Sequence, residues 1–265
     1  PAAAGGGGRG GNAAAAPAQT GTDLILHRLT DDSDQLIGGV TAAEFNRPGT
    51  ILAFTTGTAD RDGNGLSVVM LATRTQRTLD NVRADYARLT WDSAGSALVA
   101  LRGMDKRGYA EKENAVVVVT GLDAAQPQVT VLGPTGLTGL AANTVISEKG
   151  TLTWSPDRSR LFVGLRENEA RPLPARRDST VDEEPVANVD VWHWKDDVIQ
   201  PVQMVRAPQE QNRTFVAALF VAQKKIVPLA DARMQTVQVS RDGAWGIGRD
   251  EKDYIDDWKP QLADY

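Results

Sequence analysis

The chain of 265 residues has two histidines and no cysteine. A histidine general base would therefore be His27 or His193, and disulfides, thiolate metal sites and a cysteine nucleophile are excluded. His27 lies in an alternating, strand-like run and His193 stands between Trp192 and Trp194, so each is most simply a strand residue with one ring face packed. A serine nucleophile on a strained elbow needs Gly-x-Ser-x-Gly, because only small neighbours fit there. The sequence lacks that motif; its nearest approaches, Gly65-Leu66-Ser67 and Gly95-Ser96, fall in or beside hairpin patterns. No catalytic residue is assigned.

Two segments concentrate other chemistry. Asp60-Arg61-Asp62-Gly63-Asn64-Gly65 reproduces the first half of a calcium loop, with oxygen ligands at positions one, three and five and glycine at six. Position twelve, where a bidentate glutamate belongs, is Leu71 in an apolar run. A turn between strands also selects Asp, Asn and Gly, so a turn is expected, with no metal and no cofactor. The stretch 167–185 carries Arg171, Arg176, Arg177, Glu183 and Glu184 among prolines. Proline removes ladder donors and buried charges are costly, so this stretch is expected to be a solvated excursion between strands. As a functional alternative it gates a channel or docks another domain, and the paired acids Glu183-Glu184 suit an ammonium group.

The charge balance, 29 basic against 34 acidic side chains for a net −5, is interspersed and lacks the basic clustering that nucleic-acid backbones require. The longest apolar runs, 115–119 and 215–222, are far shorter than the roughly 18 to 20 residues of a membrane span. Residues 1–21, built mainly of Ala and Gly, cannot bury enough surface to offset ordering entropy and are expected to be a flexible linker. Residues 22–265 form the folding unit, expected to be a piece of a longer polypeptide.

That unit reads as all-β, with short apolar runs between Gly, Pro, Asn and Asp turns. Phe45, Trp91, Trp154 and Val239 each end one strand ahead of a polar turn and a second apolar strand; Gly49, Gly95 and Gly243 stand four positions after their anchors, and Arg158 is the exception. A second kind of hairpin alternates with this one, at 23–38, 66–79, 114–132, 189–205 and 214–230. Alternating hairpins make repeated four-stranded sheets, and the anchor spacings fit propeller blades of roughly 40 to 50 residues with insertions. The long interval from Trp154 to Val239 is expected to hide a degenerate blade. The expected architecture is a β-propeller of about five four-stranded blades belonging to a larger, incomplete ring. A β-sandwich also has short strands but gives no reason for such a repeat. Trp91 and Trp154 are expected in the core, and Trp192, Trp194, Trp245 and Trp258 on a blade face.

The run Asn188-Val189-Asp190-Val191-Trp192-His193-Trp194-Lys195-Asp196-Asp197, then Gln200-Pro201, then 213–231 with Pro228-Leu229-Ala230, resembles the propeller of bacterial prolyl oligopeptidase family serine peptidases. The hairpins at Leu89-Thr90-Trp91-Asp92 and Leu152-Thr153-Trp154-Ser155-Pro156-Asp157 are similar to that family's repeats and to those of the Tol-system periplasmic protein. The resemblance spans residues 23–265. It implies a non-catalytic propeller that filters peptide substrate for an α/β-hydrolase domain in the same polypeptide, with periplasmic or secreted localisation. A stand-alone propeller scaffold that binds protein or peptide is the alternative.

If Asp60–Gly65 is a turn rather than a metal loop, millimolar calcium leaves the melting temperature unchanged, since a ligand stabilises only by preferring the native state. A calcium-dependent rise that Asp60→Ala abolishes would contradict this.

Overall fold

A polar residue follows each apolar anchor and closes a tight turn. In the computed structural model, which describes residues 20–170 and 200–250, this turn recurs four times. The backbone N–H of Asn46, Asp92, Ser155 and Ser240 donates to the carbonyls of Ile51, Ala97, Arg160 and Trp245 at 2.9, 2.9, 2.9 and 2.8 Å. The N–H of Gly49, Gly95, Arg158 and Gly243 returns to the carbonyl of that same polar residue. These four residues adopt φ of 68°, 72°, 58° and 72°, the left-handed region that glycine occupies without steric cost. Arg158 thus keeps the conformation although it lacks the glycine. The polar side chains complete the turn: Asn46 Oδ1 accepts from the Thr50 and Ile51 N–H groups, and Asp92 Oδ1 from those of Ser96 and Ala97. The serine hydroxyls of Ser155 and Ser240 accept from the Arg160 and Trp245 N–H groups.

Around these turns the strands form successive antiparallel sheets. A leading hairpin joins β1 (Thr22–Arg28) to the first part of β2 (Ser33–Phe45). The later part of β2 is the inner strand of blade 1, followed by β3 (Ile51–Thr56), β4 (Gly65–Met70) and β5 (Thr75–Asp80). Blade 2 is β6 (Asp85–Trp91), β7 (Leu98–Met104), β8 (Glu113–Thr120) and β9 (Gln128–Leu132). In blade 3 the inner strand is split into β10 (Thr144–Ile146) and β11 (Leu152–Trp154), both paired with β12 (Arg160–Glu167), and β13 (Phe215–Phe220) and β14 (Lys225–Pro228) complete it. A trailing hairpin, β15 (Thr236–Val239) and β16 (Gly246–Arg249), repeats the first two strands of a blade. Among the described residues, three four-stranded blades with a hairpin at either end agree with the expected propeller.

The sheets pack face to face, and β8 shows why. Its valines point alternately to opposite faces, as strand geometry requires. Val117 and Val119 pack with Ile51, Ala53, Leu66 and Val68 of blade 1, while Val116 and Val118 pack with Leu161, Val163, Ala217 and Leu219 of blade 3. A strand buried on both faces reads as a continuous apolar run rather than an alternation. Burial also separates the anchors: Trp91 is 9% exposed and Phe45 52%. Trp154 is only partly buried against the core of blades 2 and 3, less than expected of an anchor.

The long interval after Trp154 is accounted for differently from the expectation. β12 to β14 complete the blade that Trp154 opens, and the extra length lies in the 168–214 connection between β12 and β13. A strand expected over 198–205 is, from Gln200 onward, an α-helix, α1 (Gln200–Gln211). Gln, Met, Arg, Ala and Glu favour helix here, and Pro201 fits the first helical turn, where its missing N–H costs nothing. The other expected strand of that hairpin, 189–194, lies outside the described residues.

The turn geometry orders two substitutions. An added Cβ at Gly49 meets nothing within 4 Å, whereas at Gly95 it lies 2.6 Å from Pro48 Cδ and 2.9 Å from the Arg47 nitrogen. Gly49→Ala should cost about 1 to 2 kcal/mol from left-handed strain alone, and Gly95→Ala a further 1 to 3 kcal/mol or so from overpacking. Urea denaturation of both variants checks the order; equal losses would refute it.

Candidate functional site

Each inner strand is irregular just before its anchor. Thr41 interrupts the pairing of β2 with β3 between Val40 and Ala42, and its hydroxyl meets the Thr55 hydroxyl at 2.8 Å. In β6, Arg88 and Leu89 together oppose Ala100, and Arg88 has φ of 56°. In blade 3, residues 147–151 separate β10 from β11. Bulges bend a strand and re-aim its side chains. Here they present the three residues preceding each anchor to one shared space. A cavity of about 510 Å³ is lined by Ala42, Ala43 and Glu44, by Arg88, Leu89 and Thr90, and by Thr151, Leu152 and Thr153. The same three repeat positions, supplied by the inner strands of three successive blades, make this the axial cavity of the propeller. Its size falls within the range of small-ligand sites.

Two charged residues line the cavity, and each is held by a neighbouring blade through the main chain. The indole N–H of Trp91 donates to the Glu44 carbonyl at 3.1 Å, fixing the blade 1 strand beside blade 2. The Nε of Arg88 donates to the Glu148 carbonyl at 2.6 Å, fixing blade 2 beside blade 3. Desolvation raises the Glu44 carboxyl above its ordinary value. A non-glycine residue in left-handed conformation is retained only where its surroundings enforce it, and the Glu148 contact helps to enforce it at Arg88.

A polar seam continues from Glu148 across the three blades. Lys112 Nζ lies 3.1 Å from Glu148 Oε1 and 3.0 Å from Asp85 Oδ2. Arg61 binds both Asp85 oxygens, Nε to Oδ1 at 2.9 Å and Nη2 to Oδ2 at 2.8 Å, and reaches Asp105 Oδ2 with Nη1 at 2.6 Å. Asp105 above all, and then Asp85, raise the Arg61 pKa; burial pulls the Lys112 ammonium down, but Asp85 and Glu148 outweigh it. Glu111, in the β7–β8 connection of blade 2, accepts from two groups of blade 3, Lys149 Nζ at 2.7 Å and the Ser147 hydroxyl at 3.2 Å, with Arg166 Nε 3.5 Å away. Asn168 bonds the Glu111 main chain in both directions.

The sequence-derived candidates fare unequally. Arg171, Arg176, Arg177, Glu183 and Glu184 lie outside the described residues, as do His193, Trp192, Trp194 and Trp258 and the expected linker as far as residue 19. The connection that carries the five charged residues leaves blade 3 at Asn168, next to Glu111 of the seam. His27 is on β1, with Nδ1 2.6 Å from Asp34 Oδ1, and Trp245 is exposed. In the Asp60–Gly65 segment, Asn64 is buried and spends Oδ1 on the Thr58 N–H at 2.6 Å and Nδ2 on the Ala84 carbonyl at 2.7 Å. Thr58 also donates its hydroxyl to Asp60. The segment is the β3–β4 turn. Sequence reasoning passed over Glu44 and Arg88, although a signal was there: they stand one and three positions before an anchor, on the strand that a propeller turns towards its axis.

No family model matches the chain, and no curated protein sequence does. Solved structures do. Those include a β-propeller domain, peptidases and proteins of other kinds. The β-propeller domain of the Trilobed protease from Pyrococcus furiosus is 11% identical with a TM-score of 0.44, over 90% of this chain and 61% of that one. The tricorn protease is 11% identical at 0.40, over 87% and 27%. TolB from Acinetobacter baumannii is 14% identical at 0.40, over 83% and 40%. This chain therefore spans less than two thirds of each.

Asp85 is 2% exposed and neutralises two cations at once. Removing it leaves Arg61 with Asp105 alone and Lys112 with Glu148 alone, so Asp85→Ala should cost about 1.5 to 3 kcal/mol, the worth of hydrogen bonds to a charged group, in denaturant unfolding. A loss below about 1 kcal/mol, typical of a surface ion pair, would show that the seam does not hold the blades.

Proposed function

We propose that the chain is the non-catalytic propeller portion of a serine peptidase of the prolyl oligopeptidase kind, admitting peptide to its axial cavity and docking a separate α/β-hydrolase domain. The axial cavity supports this most directly: three blades give it the same inner-strand positions, it is small, and its walls mix hydroxyl, aliphatic and charged groups. Such a wall suits an extended peptide, whose backbone is polar along its whole length and whose side chains vary. Beyond Val40 β2 pairs only with β3, and β6 pairs only with β7, which leaves main-chain groups for β-type recognition. In this reading the 168–214 connection, with Arg171, Arg176, Arg177, Glu183 and Glu184, acts as the gating or docking loop, and the parent works in the periplasm or outside the cell.

The purified chain should bind short peptides without cleaving them, since hydrolysis needs a nucleophile and a base within hydrogen-bond reach. Filling the cavity with Ala42→Trp should weaken binding about ten-fold or more, a loss of about 1.4 kcal/mol, while the fold survives by circular dichroism. Cleavage by the pure chain, or binding indifferent to Ala42→Trp, would contradict the proposal. Binding by a parent that carries no hydrolase domain would favour the scaffold alternative.

A further inference from the structure

The outer turns repeat as the inner ones do. Four residues join the third and fourth strands of blades 1 and 3, at 71–74 and 221–224, and the last of each, Arg74 and Lys224, has φ of 56° and 51°. The leading hairpin has the same turn at 29–32, where Asp32 has φ of 55°. It also packs as such a pair does: Leu24 and Leu26 lie against Leu52, Phe54 and Val69 of blade 1, as Leu66 and Val68 lie against blade 2. β1 and the first part of β2 are therefore the third and fourth strands of a blade, whereas β15 and β16 are the first and second of one. Each hairpin is the half that the other lacks.

The uncovered surfaces match. The eighth residue after each anchor faces the following blade: Ala53, Val99 and Phe162 are buried, but Ile247 is 76% exposed. Trp245, two residues earlier and so on the same face, is exposed too, as is Phe45, the anchor of the blade behind the leading hairpin. Ile25 and Leu36 pair across the leading hairpin and are exposed on the face opposite Leu24 and Leu26. Among the described residues β1 pairs only with β2 and β16 only with β15, in separate sheets. A strand edge left unpaired is a template for another chain.

We infer that two copies of this chain join head to tail, the trailing hairpin of each completing a blade with the leading hairpin of the other. The occupant is a second copy because this interface continues the one that joins blade 1 to blade 2 and blade 2 to blade 3, and because the chain's own leading hairpin carries the strand positions, the turn and the apolar face that it requires. The register follows from the existing blades. The sixth residue after an anchor opposes the last residue of the third strand, as Ile51 opposes Met70 and Arg160 opposes Phe220. Trp245 then opposes Arg28 of the second copy, and Ile247 opposes its Leu26, as Ala53 opposes Val68. The two contacts are identical, so the pair closes as a two-fold ring. Four blades from each chain make eight, within the roughly 4 to 8 of propellers. This inference is independent of the peptide reading.

Sedimentation equilibrium of the full chain should give about 57 kDa, twice the 28.4 kDa of one chain, and Ile247→Asp should weaken the dimer about a hundred-fold or more, since an unpaired charge resists burial. Its melting curve, taken below the dimer's dissociation constant, should match that of the wild type, because Ile247 is exposed in the single chain. The chain has no cysteine of its own, and strand partners lie about 4.5 to 5.5 Å apart between Cα atoms, within reach of a disulfide. Arg28→Cys mixed with Trp245→Cys should therefore cross-link under mild oxidation, while neither variant alone does. A mass of 28.4 kDa at all concentrations, or a dimer indifferent to Ile247→Asp, would overturn the inference. So would a disulfide formed within one chain by the double variant, which would mean self-closure, or a mass that grows beyond the dimer, which would mean an open filament.

Discussion

The left-handed residue in the inner turn is the constraint on which the rest of the structure depends. Its positive φ lets the chain reverse within four residues, closing one hydrogen bond from anchor-side polar residue to the next strand and one back across the turn. That reversal fixes the register of the first two strands of every blade, and period-two geometry then decides which side chains face the neighbouring blades. It also fixes where the anchor stands, and hence which three residues precede it on the axial side. The turns are stitched to one another as well. Asn46 donates to the Gly95 carbonyl, Arg158 to the Ser96 hydroxyl, and Arg160 to the Gly243 carbonyl.

Between those turns the two halves of the stabilising arrangement do different work. Face-to-face burial of aliphatic side chains holds adjacent blades together without specifying much about their angle, because dispersion and the hydrophobic effect are non-directional. The seam from Arg61 through Asp85 and Lys112 to Glu148 supplies direction, since bidentate and charge-assisted bonds tolerate little displacement. Arg88 draws on both. Its strand is set by the packing of blade 2, and its guanidinium is aimed by a carbonyl whose own residue is held in the seam.

Much of this was legible in the sequence because it is local. The anchors, the turns and most hairpins announce themselves through apolar runs ended by Asp, Asn, Ser and Gly, and even Arg158 stands at the position its three glycine counterparts predict. What escaped was non-local or depended on a competition. The 200–211 segment has valines and a methionine that suit a strand, but its long unbranched side chains favour helix once no partner strand claims it. Phe45 and Trp91 look equivalent as anchors, yet only the second is covered, because it reaches across to the Glu44 carbonyl and packs on Tyr86, Leu98 and Val117. Glu44 and Arg88 are ordinary surface residues until three strands far apart in sequence converge, and no spacing rule brings 44, 88 and 151 together. The charged loop at 167–185 drew attention by composition alone, whereas the cavity is defined by position within a repeat.

The most direct measurement is photo-crosslinking of a short peptide carrying a photoreactive side chain, with the adducts mapped by mass spectrometry. The account predicts that adducts fall in the three residues before each anchor, namely 42–44, 88–90 and 151–153, and that excess unlabelled peptide removes them. Competable adducts confined to the turns at 46–50, 92–97 and 155–160, or to the outer strands, would place the peptide on another face and contradict it.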